Sequence, residues 1–541
     1  MNTLFSIITE AAPLPQPPPN STSPKKLPGL RLAILAGLLL FLANPPFTLW
    51  PLAWIAVIPL VISISRATRW RQALWRGYLF GWAYLGPTWY WTGLTIAGVT
   101  HSNFVGGLAW FLLTLILALY YGLWGAMTWW VSRRVSGHWR FIAPAALWVL
   151  VEWLRTIGSV TMPWAQLSYT QYHFLPVLQM AELTGAYGVS FLILLLNAAL
   201  AYRWMNRDDP ASRQPVLRVL ALIALVCLCG AARMAFPDTG RHLVVAAMQG
   251  NFKSNDARES TEQDFRTFAS LTQEALSASP RPALYVWAES SSPRDALTDY
   301  STFNFLHRLA AQAQAPVLVG SRLEEVRYDK GRRVAIESNA AVLFPADNSR
   351  PSRYNKQQLV PYGEFIPLRG LIPPQLDETL AIPVNDVTPG NETTLLRFQD
   401  PQAGRVALGP FICYESMYPV YAGAMTRQGA NLLVTQSNDD WFQSEAAMEQ
   451  HVAAVVLRAV ETRREIVRST TTGVTCFIDA RGGVLTQAPL NTKAVLKQTV
   501  QLRDGLTLYV RFGDWFVLAC AVMLAAALRK HRVESPRGGA A

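Results

Sequence analysis

Long apolar segments separated by short polar ones fill residues 30–236 of the chain. A segment needs about 20 mostly apolar residues to cross a bilayer as a helix. Seven segments before residue 237 approach that length, and an eighth lies near the C-terminus. Their approximate bounds are 30–47, 52–65, 77–99, 105–131, 141–157, 178–202, 216–236 and 512–528. The pattern predicts a polytopic α-helical membrane bundle of eight spans.

The basic residues between these segments predict how the spans cross the membrane. Arginines follow the second, fourth, sixth and eighth segments, whereas the intervening stretches 45–50, 100–104 and 159–176 contain no Lys or Arg. Loops rich in Lys and Arg stay in the cytoplasm. Both termini are therefore expected in the cytoplasm, and residues 237–507 are expected on the outer side. In a bacterial inner membrane that side is the periplasm.

Composition fits a membrane protein and excludes other classes. Hydrophobic residues make up 51% of the 541 residues and charged residues 16%, whereas soluble domains carry about 25% charge. Five cysteines are too few for a disulfide scaffold. The net charge of +12 is concentrated in the cytoplasmic loops, so no nucleic-acid partner is expected.

Residues 237–507 have shorter apolar runs and more charges than the rest of the chain. The predicted strands are 243–248, 284–287, 317–320, 340–344, 406–412, 432–435 and 474–478. The predicted helices are 259–276, 303–314 and 445–464. Strands alternating with helices indicate a layered α/β domain. The chain is thus divided into a disordered tail (1–28), seven spans (29–236), the α/β domain (237–507), an eighth span (508–529) and a second tail (530–541).

Three residues of the α/β domain are candidates for chemistry. Cys413 directly follows the predicted strand 406–412, and the alternative for it is a buried structural cysteine. Glu289 also follows a predicted strand, and Lys356 lies in an aromatic, proline-bearing segment; a solvated Glu and an exposed Lys are the alternatives. A cysteine nucleophile needs a base and a charge stabiliser, because a free thiol has a pKa near 8.5. No zinc motif is present, and Cys413 and Cys476 have no His or Cys at metal-binding spacing.

Several motifs around these residues support a resemblance to a known family. They are 148–155 (WVLVEWLR), 247–251 (AMQGN), 287–289, 354–364, 412–415, 438–442 and 458–461. With one α/β domain between the seventh and eighth spans, the chain resembles the apolipoprotein N-acyltransferase family, a membrane branch of the nitrilase or carbon–nitrogen hydrolase superfamily. The resemblance covers nearly the whole chain from about residue 30.

This resemblance implies an αββα nitrilase-like sandwich with a Glu–Lys–Cys triad. Glu289 resembles the general base, Lys356 the cation that stabilises the oxyanion, and Cys413 the nucleophile that accepts the acyl group. Tyr414 matches the position whose backbone N–H shares the oxyanion hole, and Glu364 and Glu415 match two acidic positions near the thiol. The chain departs from the family pattern at Ala288, Tyr362 and Thr471.

The family also implies a reaction. An acyl chain passes from the sn-1 position of a phospholipid, with phosphatidylethanolamine as the expected donor, to Cys413 as a thioester. It then passes to the α-amine of the diacylglyceryl-cysteine of an apolipoprotein, which completes lipoprotein maturation. No cofactor or metal is implied. The enzyme is expected in the bacterial inner membrane with its catalytic domain in the periplasm.

Aromatic residues are candidates for substrate contact, each with an alternative. Trp441 and Phe442 could line the acyl path or pack in the core. Trp89, at the outer end of the third span, could line a lipid entrance or belong to an interfacial aromatic belt. His451 is expected at the surface or in a structural role.

Two other functions stay open at this point. A membrane-tethered amidase of the nitrilase type would pass the acyl group to water instead of to an amine. A catalytically inactive binding module on a membrane scaffold is the second alternative, and the intact set of Glu289, Lys356 and Cys413 argues against it.

Overall fold

The computed structural model describes residues 29–158, 161–236, 240–252, 261–329, 332–366, 369 and 386–534. The predicted tail 1–28 and residues 535–541 of the second predicted tail lie outside these ranges. Within them, a helical bundle is followed by an α/β domain and by a last helix that returns to the bundle.

The bundle is built from apolar helices. They are α1 (Gly29–Leu42), α2 (Ala53–Ala56), α3 (Ile58–Ser65), α4 (Trp70–Thr88), α5 (Tyr90–Thr100), α6 (Asn103–Ser132), α7 (Trp139–Leu154), α8 (Leu175–Leu178), α9 (Ala181–Thr184), α10 (Ala186–Met205) and α11 (Arg213–Ala235). Helices α4 and α6 approach closely, because a Cβ at Gly77 would lie 2.1 Å from the Tyr121 carbonyl oxygen and one at Gly125 would lie 2.5 Å from the Ala73 carbonyl oxygen. Such small-residue contacts are typical of helices that pack within a bilayer.

Helix length supports a membrane location but gives fewer spans than the apolar pattern predicts. In the described part of the chain, Asn103–Ser132, Ala186–Met205 and Pro210–Ala235 are long and apolar enough to cross a bilayer. Shorter apolar helices occupy Gly29–Leu42, Trp50–Ser65 and Trp515–Arg529. Leucines of α11 such as Leu225 and Leu228 are 57% and 69% exposed, as expected of a surface that faces lipid. The count of eight spans remains a prediction.

The helices of the structure differ from the predicted spans, most clearly at the third and the sixth. The third is broken at Trp89, between α4 and α5, where Pro87 precedes the break. The sixth begins only at Ala186, because Gly185 adopts a positive φ of 67° and ends the short helix α9 before it.

The α/β domain contains twelve strands in the described residues. They are β1 (Arg241–Gln249), β2 (Leu284–Val286), β3 (Val317–Asp329), β4 (Arg332–Phe344), β5 (Ser352–Asn355), β6 (Leu396–Asp400), β7 (Gly404–Ile412), β8 (Leu432–Ser437), β9 (Ile466–Thr470), β10 (Cys476–Ile478), β11 (Val484–Gln487) and β12 (Ala494–Leu502). Its helices are α12 (Glu262–Leu276), α13 (Tyr300–Ala313), α14 (Pro419–Arg427) and α15 (Glu445–Thr462), and the chain continues into α16 (Leu508–Phe512) and α17 (Trp515–Glu534).

The strands form two six-stranded sheets of related topology. The orders are β12-β1-β2-β3-β4-β5 and β11-β10-β9-β8-β7-β6. In each sheet three central strands are parallel, β1-β2-β3 in one and β7-β8-β9 in the other, and the flanking strands are antiparallel. Strand β5 runs in the same direction as β2, since it is antiparallel to β4. The carboxyl ends of β2 and β5 therefore lie at one edge, which is where α/β sheets bind ligands.

Alternating residues of β1 identify the layers of the domain. Ala246 and Met248 pack with the first helix layer, α12 and α13, whereas Val245 and Ala247 pack toward the second sheet. Helix α15 covers the other face of the second sheet and is buried along almost its whole length, because the bundle packs on it. The predicted layered α/β domain is confirmed.

Candidate active site

The ends of three strands bring Glu289, Lys356 and Cys413 together. Glu289 follows β2, Lys356 directly follows β5, and Cys413 directly follows β7. Lys356 Nζ donates hydrogen bonds to Glu289 Oε1 at 3.0 Å and to Glu364 Oε1 at 2.9 Å. Glu289 and Lys356 both act electrostatically on the Cys413 thiol. The arrangement offers a sulfur, a carboxylate and a cation within one buried site.

Shared donors hold the two carboxylates around Lys356. Asn339 Nδ2 donates to Glu289 Oε1 at 2.7 Å and to Glu364 Oε1 at 2.9 Å, and the Asn438 backbone N–H donates to Glu289 Oε2 at 2.8 Å. Burial lowers the pKa of Lys356, but the two carboxylates outweigh it and raise this pKa above its ordinary value. Although burial opposes it, Lys356 and Asn339 keep the pKa of Glu364 below its ordinary value. Lys356 is therefore a fixed cation at neutral pH.

Cys413 occupies a strained position at the start of a turn. It has a φ of 48° and begins the 3₁₀ turn Cys413–Met417, and its side chain is 8% exposed. Left-handed backbone at a residue other than glycine is uncommon and occurs often at functional sites. Burial, and next the Glu289 carboxylate, raise the pKa of the Cys413 thiol, against the opposing effect of Lys356. The resting sulfur is thus a thiol, and its proton has a carboxylate nearby to accept it.

Glu415 connects the turn of Cys413 with the segment of Lys356. Its carboxylate accepts hydrogen bonds from the Ile412 N–H at 2.6 Å, the Tyr354 hydroxyl at 2.7 Å and the Gln357 N–H at 2.7 Å. Burial raises the pKa of Glu415 to about 7, although these donors lower it. These donors lie directly before Cys413 and on either side of Lys356, so the Glu415 carboxylate connects the two parts of the site.

Tyr414 connects the turn Cys413–Met417 with the bundle. Its hydroxyl donates to the Thr161 carbonyl oxygen at 2.6 Å. The first N–H groups of a helical turn have no acceptor within that turn. The Tyr414 backbone N–H, next to the Cys413 sulfur, therefore has the character that an oxyanion donor needs.

The aromatic candidates lie in different surroundings. The Phe442 ring is 5.1 Å from Trp91, 5.5 Å from Trp164 and 5.7 Å from His451. Because His451 contacts the Cys413 carbonyl, Phe442 lies beside the turn of Cys413. Trp441 precedes it and is half-buried. Trp89 is fully buried in the bundle, with the Arg155 guanidinium 5.7 Å from its ring. Trp89 does not belong to an exposed aromatic belt.

Asn339 of the site was not singled out from the sequence. It lies in strand β4 directly before the predicted apolar run 340–344, so the apolar pattern did not indicate it. His451, which was expected at the surface or in a structural role, is fully buried. Among the described residues, no group of three or more His, Cys, Asp or Glu side chains could hold a metal ion.

The chain is similar to known proteins along most of its length. Residues 36–199 match the family described as Apolipoprotein N-acyltransferase N-terminal domain, and residues 244–505 match Carbon-nitrogen hydrolase. A relative from Geobacter metallireducens named Apolipoprotein N-acyltransferase is 33% identical over 93% of this chain and 96% of its own. A second relative of the same name, from Pseudomonas putida, is 32% identical over 94% of this chain and 97% of its own.

Among solved structures, the chain matches Saccharomyces cerevisiae Nit3, a member of branch 10 of the nitrilase superfamily. The two are 16% identical with a TM-score of 0.35, and the match covers 55% of this chain and 96% of Nit3. The family assignment rests on the sequence matches, which extend over the bundle and the α/β domain alike. The chain belongs to the apolipoprotein N-acyltransferase family and is an acyltransferase built on a carbon–nitrogen hydrolase domain.

Proposed function

We propose that this acyltransferase moves a fatty acyl chain from a membrane phospholipid to the amino terminus of a lipoprotein, with Cys413 as the acyl carrier. The names of the relatives support the acceptor and the type of reaction. The observation that carries the assignment of residues is the convergence of Glu289, Lys356 and Cys413 at the ends of β2, β5 and β7.

In the first half-reaction the Cys413 sulfur attacks the sn-1 ester carbonyl of the phospholipid. Glu289 accepts the thiol proton as the new S–C bond forms. Lys356 Nζ and the Tyr414 backbone N–H stabilise the tetrahedral oxyanion; losing one such donor costs about 3–4 kcal/mol of barrier. The C–O bond then breaks, Glu289 returns the proton to the leaving oxygen, and lysophospholipid departs.

In the second half-reaction the α-amine of the diacylglyceryl-cysteine attacks the thioester carbonyl. Glu289 takes a proton from the attacking nitrogen, and the same two donors stabilise the second oxyanion. The C–S bond breaks and the Cys413 thiol is restored by the proton that Glu289 holds. The product is an N-acylated lipoprotein, and the enzyme ends in its starting state.

Glu364 and Glu415 hold the reacting groups in place and do not react themselves. Glu364 supplies a second negative charge to Lys356, so the cation stays in place while Glu289 is protonated. Glu415 keeps the turn of Cys413 at a constant distance from the segment of Lys356. Because neither carboxylate has to exchange a proton, both act by position and charge.

The membrane arrangement follows from the two long substrates. Because acyl chains leave the bilayer reluctantly, the thiol must lie at the membrane surface. The apolar segments and the basic loops between them favour eight spans, with both termini in the cytoplasm and the thiol on the outer side. In a bacterial inner membrane the domain would face the periplasm. Phe442 is close to the turn Cys413–Met417, which is called the nucleophile turn from here on. Phe442 and its neighbour Trp441 are the proposed contacts for the acyl chain. Trp89 would act only from within the bundle.

Mass spectrometry of the Cys413 peptide tests the thioester. Purified protein is incubated in mixed micelles with phosphatidylethanolamine and no acceptor. We expect a hydroxylamine-labile acyl adduct on Cys413 and none on the buried Cys476 of the same digest. A Cys413→Ala variant should carry no adduct. Lysophospholipid formation by the unmodified protein without any adduct would overturn the proposal.

Product analysis separates acyl transfer from hydrolysis. The protein is given phosphatidylethanolamine and a diacylglyceryl lipopeptide with a free α-amine. We expect N-acyl lipopeptide and lysophospholipid in equal amounts. Free fatty acid released at the rate of lysophospholipid, with the amine unmodified, would identify the chain as an amidase-like hydrolase instead.

A further inference from the structure

A buried polar cluster lies against the main chain of the nucleophile turn and takes no part in the steps above. Ser416, Asp439, His451 and Arg468 come from the turn itself, from the segment after β8, from α15 and from β9, and all four are fully buried. Arg468 forms a 2.6 Å ion pair with Asp439. The pair balances its own charge, so the cluster adds none to the site.

Two donors of this cluster converge on one oxygen, the carbonyl of Cys413. His451 Nε2 lies 3.0 Å from this oxygen and 2.7 Å from Ser416 Oγ, and the Ser416 hydroxyl donates to the same oxygen. A carbonyl oxygen can only accept, so Nε2 carries the hydrogen.

The other ring nitrogen of His451 is oriented by the ion pair. Nδ1 lies 3.3 Å from an Arg468 Nη, which can only donate, and 3.4 Å from Asp439 Oδ1. The Arg468 contact favours an unprotonated Nδ1, which is the tautomer that leaves the hydrogen on Nε2. Burial, and next the Arg468 cation, lower the pKa of His451, in agreement with a neutral ring. The cluster thus presents a single N–H to the nucleophile turn.

Holding this carbonyl also orients the oxyanion donor. The Cys413 C=O and the Tyr414 N–H belong to one peptide unit, which is planar and trans. The two groups therefore point in opposite directions, and fixing one fixes the other. A hydrogen bond to the carbonyl also polarises the peptide and strengthens its N–H as a donor. Because Cys413 has a φ of 48°, the turn depends on such bonds to keep this geometry.

We propose that His451 and Ser416 are positioning residues that aim and polarise the Tyr414 N–H of the oxyanion hole by binding the Cys413 carbonyl. The inference rests on the proposed function, in which that N–H stabilises the tetrahedral oxyanion. It assigns to His451 and Ser416 a role in both half-reactions, which they exert through the peptide unit between Cys413 and Tyr414.

Two reactions of the same sulfur separate this role from a general structural one. Acylation by phosphatidylethanolamine passes through an oxyanion, whereas alkylation by iodoacetamide displaces iodide and forms none. Ser416→Ala removes one donor with the smallest possible change. His451→Leu removes the other, and His451→Gln keeps an N–H that reaches the same oxygen. Ser469→Ala is the matched control, since its buried hydroxyl also donates to main-chain carbonyls, those of Met248 and Val286.

We expect Ser416→Ala to acylate Cys413 at least about tenfold more slowly, a fraction of the effect of losing an oxyanion donor outright. His451→Leu should be slower still, and His451→Gln should recover part of the rate. Alkylation by iodoacetamide and its pH profile should stay within about twofold of the unmodified protein in Ser416→Ala, His451→Gln and the Ser469→Ala control.

Two outcomes would overturn the inference. Acylation of Ser416→Ala and His451→Leu at the unmodified rate would show that the carbonyl bonds do not matter for the oxyanion. Alkylation falling in parallel with acylation in Ser416→Ala would show a structural effect on the sulfur. Both differ from failure of the proposed function, in which the unmodified protein itself forms no acyl adduct.

Discussion

The side-chain oxygen of Gln450 accepts a 2.8 Å hydrogen bond from the indole N–H of Trp164, across the boundary between α15 and the bundle. The same oxygen accepts from the Trp91 indole at 3.3 Å, and Nε2 donates to the carbonyl oxygens of Pro45 and Thr88, each at 3.2 Å. Every partner belongs to the bundle. One buried amide therefore ties three parts of the bundle to the helix that also carries His451.

Gln450→Leu is expected to destabilise the protein by roughly 3 kcal/mol. The substitution leaves two indole N–H groups and two carbonyl oxygens buried without this partner. Each unsatisfied group costs about 1–3 kcal/mol, and relaxation of the surrounding side chains recovers part of the total. The midpoint of thermal unfolding in detergent measures the effect. Gln402→Leu is the control, since Gln402 is exposed. Equal midpoints for the two variants would contradict the role of Gln450 as an interdomain contact.

Lys356→Met should abolish acyl transfer and also destabilise the fold. Removing the cation leaves Glu289 and Glu364 buried without their counter-charge, and breaking a buried ion pair from one side costs about 3–5 kcal/mol. Unfolding midpoints and the rate of Cys413 acylation are measured on the same preparation.

The double variant Lys356→Met with Glu364→Gln separates the two effects. Neutralising Glu364 removes one uncompensated charge, so part of the lost stability should return. Acylation should not return, because no cation faces the oxyanion. A double variant that is no more stable than Lys356→Met alone would mean that the pair with Glu364 contributes little.

Two of the three strands that lead into the site, β2 and β7, were predictable because both of their faces are buried. Strands such as β7 and β8 therefore read as continuous apolar runs. The third strand at the site, β5, is short, only partly buried and without an apolar run, so the pattern did not predict it. Strand β11 lies at a sheet edge and is largely exposed, and β9 contains the buried Arg468, so neither shows an apolar run. The periodicity could not detect them.

The site was predictable only through the resemblance to a family. Glu289 and Lys356 are 67 residues apart in the chain, and nothing local indicates that β2 and β5 end at one edge. The burial of His451 could not be predicted either, because a polar position on an amphipathic helix is equally consistent with exposure to solvent and with a buried polar partner. Its partners, Asp439 and Arg468, come from other elements.

Glu289→Gln should change the thiol in the direction opposite to its effect on catalysis. The Glu289 carboxylate raises the pKa of Cys413 and Lys356 lowers it, so loss of the negative charge should lower the thiol pKa. Alkylation by iodoacetamide should then reach half its maximal rate at a lower pH than in the unmodified protein. Acylation should fall by at least about 100-fold without the base. An alkylation profile that moves to higher pH would show that Glu289 does not face the sulfur as a carboxylate.

The stability of the protein should depend on the neutral state of His451. Its pKa is lowered in the folded protein by burial and by Arg468, whereas in the unfolded chain it returns to about 6.5. As the pH falls below 6.5 the unfolded chain therefore binds a proton that the folded protein does not, and the free energy of unfolding decreases by up to about 1.4 kcal/mol per pH unit.

His451→Gln provides the reference for this pH dependence, because it cannot titrate while other groups, including the buried His307, titrate as before. Unfolding midpoints are compared between pH 7.5 and pH 5. The unmodified protein should be the more stable of the two at pH 7.5, and its advantage should shrink steadily below pH 6.5. An advantage that grows as the pH falls would mean that the folded protein binds the proton more tightly than the unfolded chain. His451 would then be an imidazolium paired with Asp439, and the Arg468 contact would not set its tautomer.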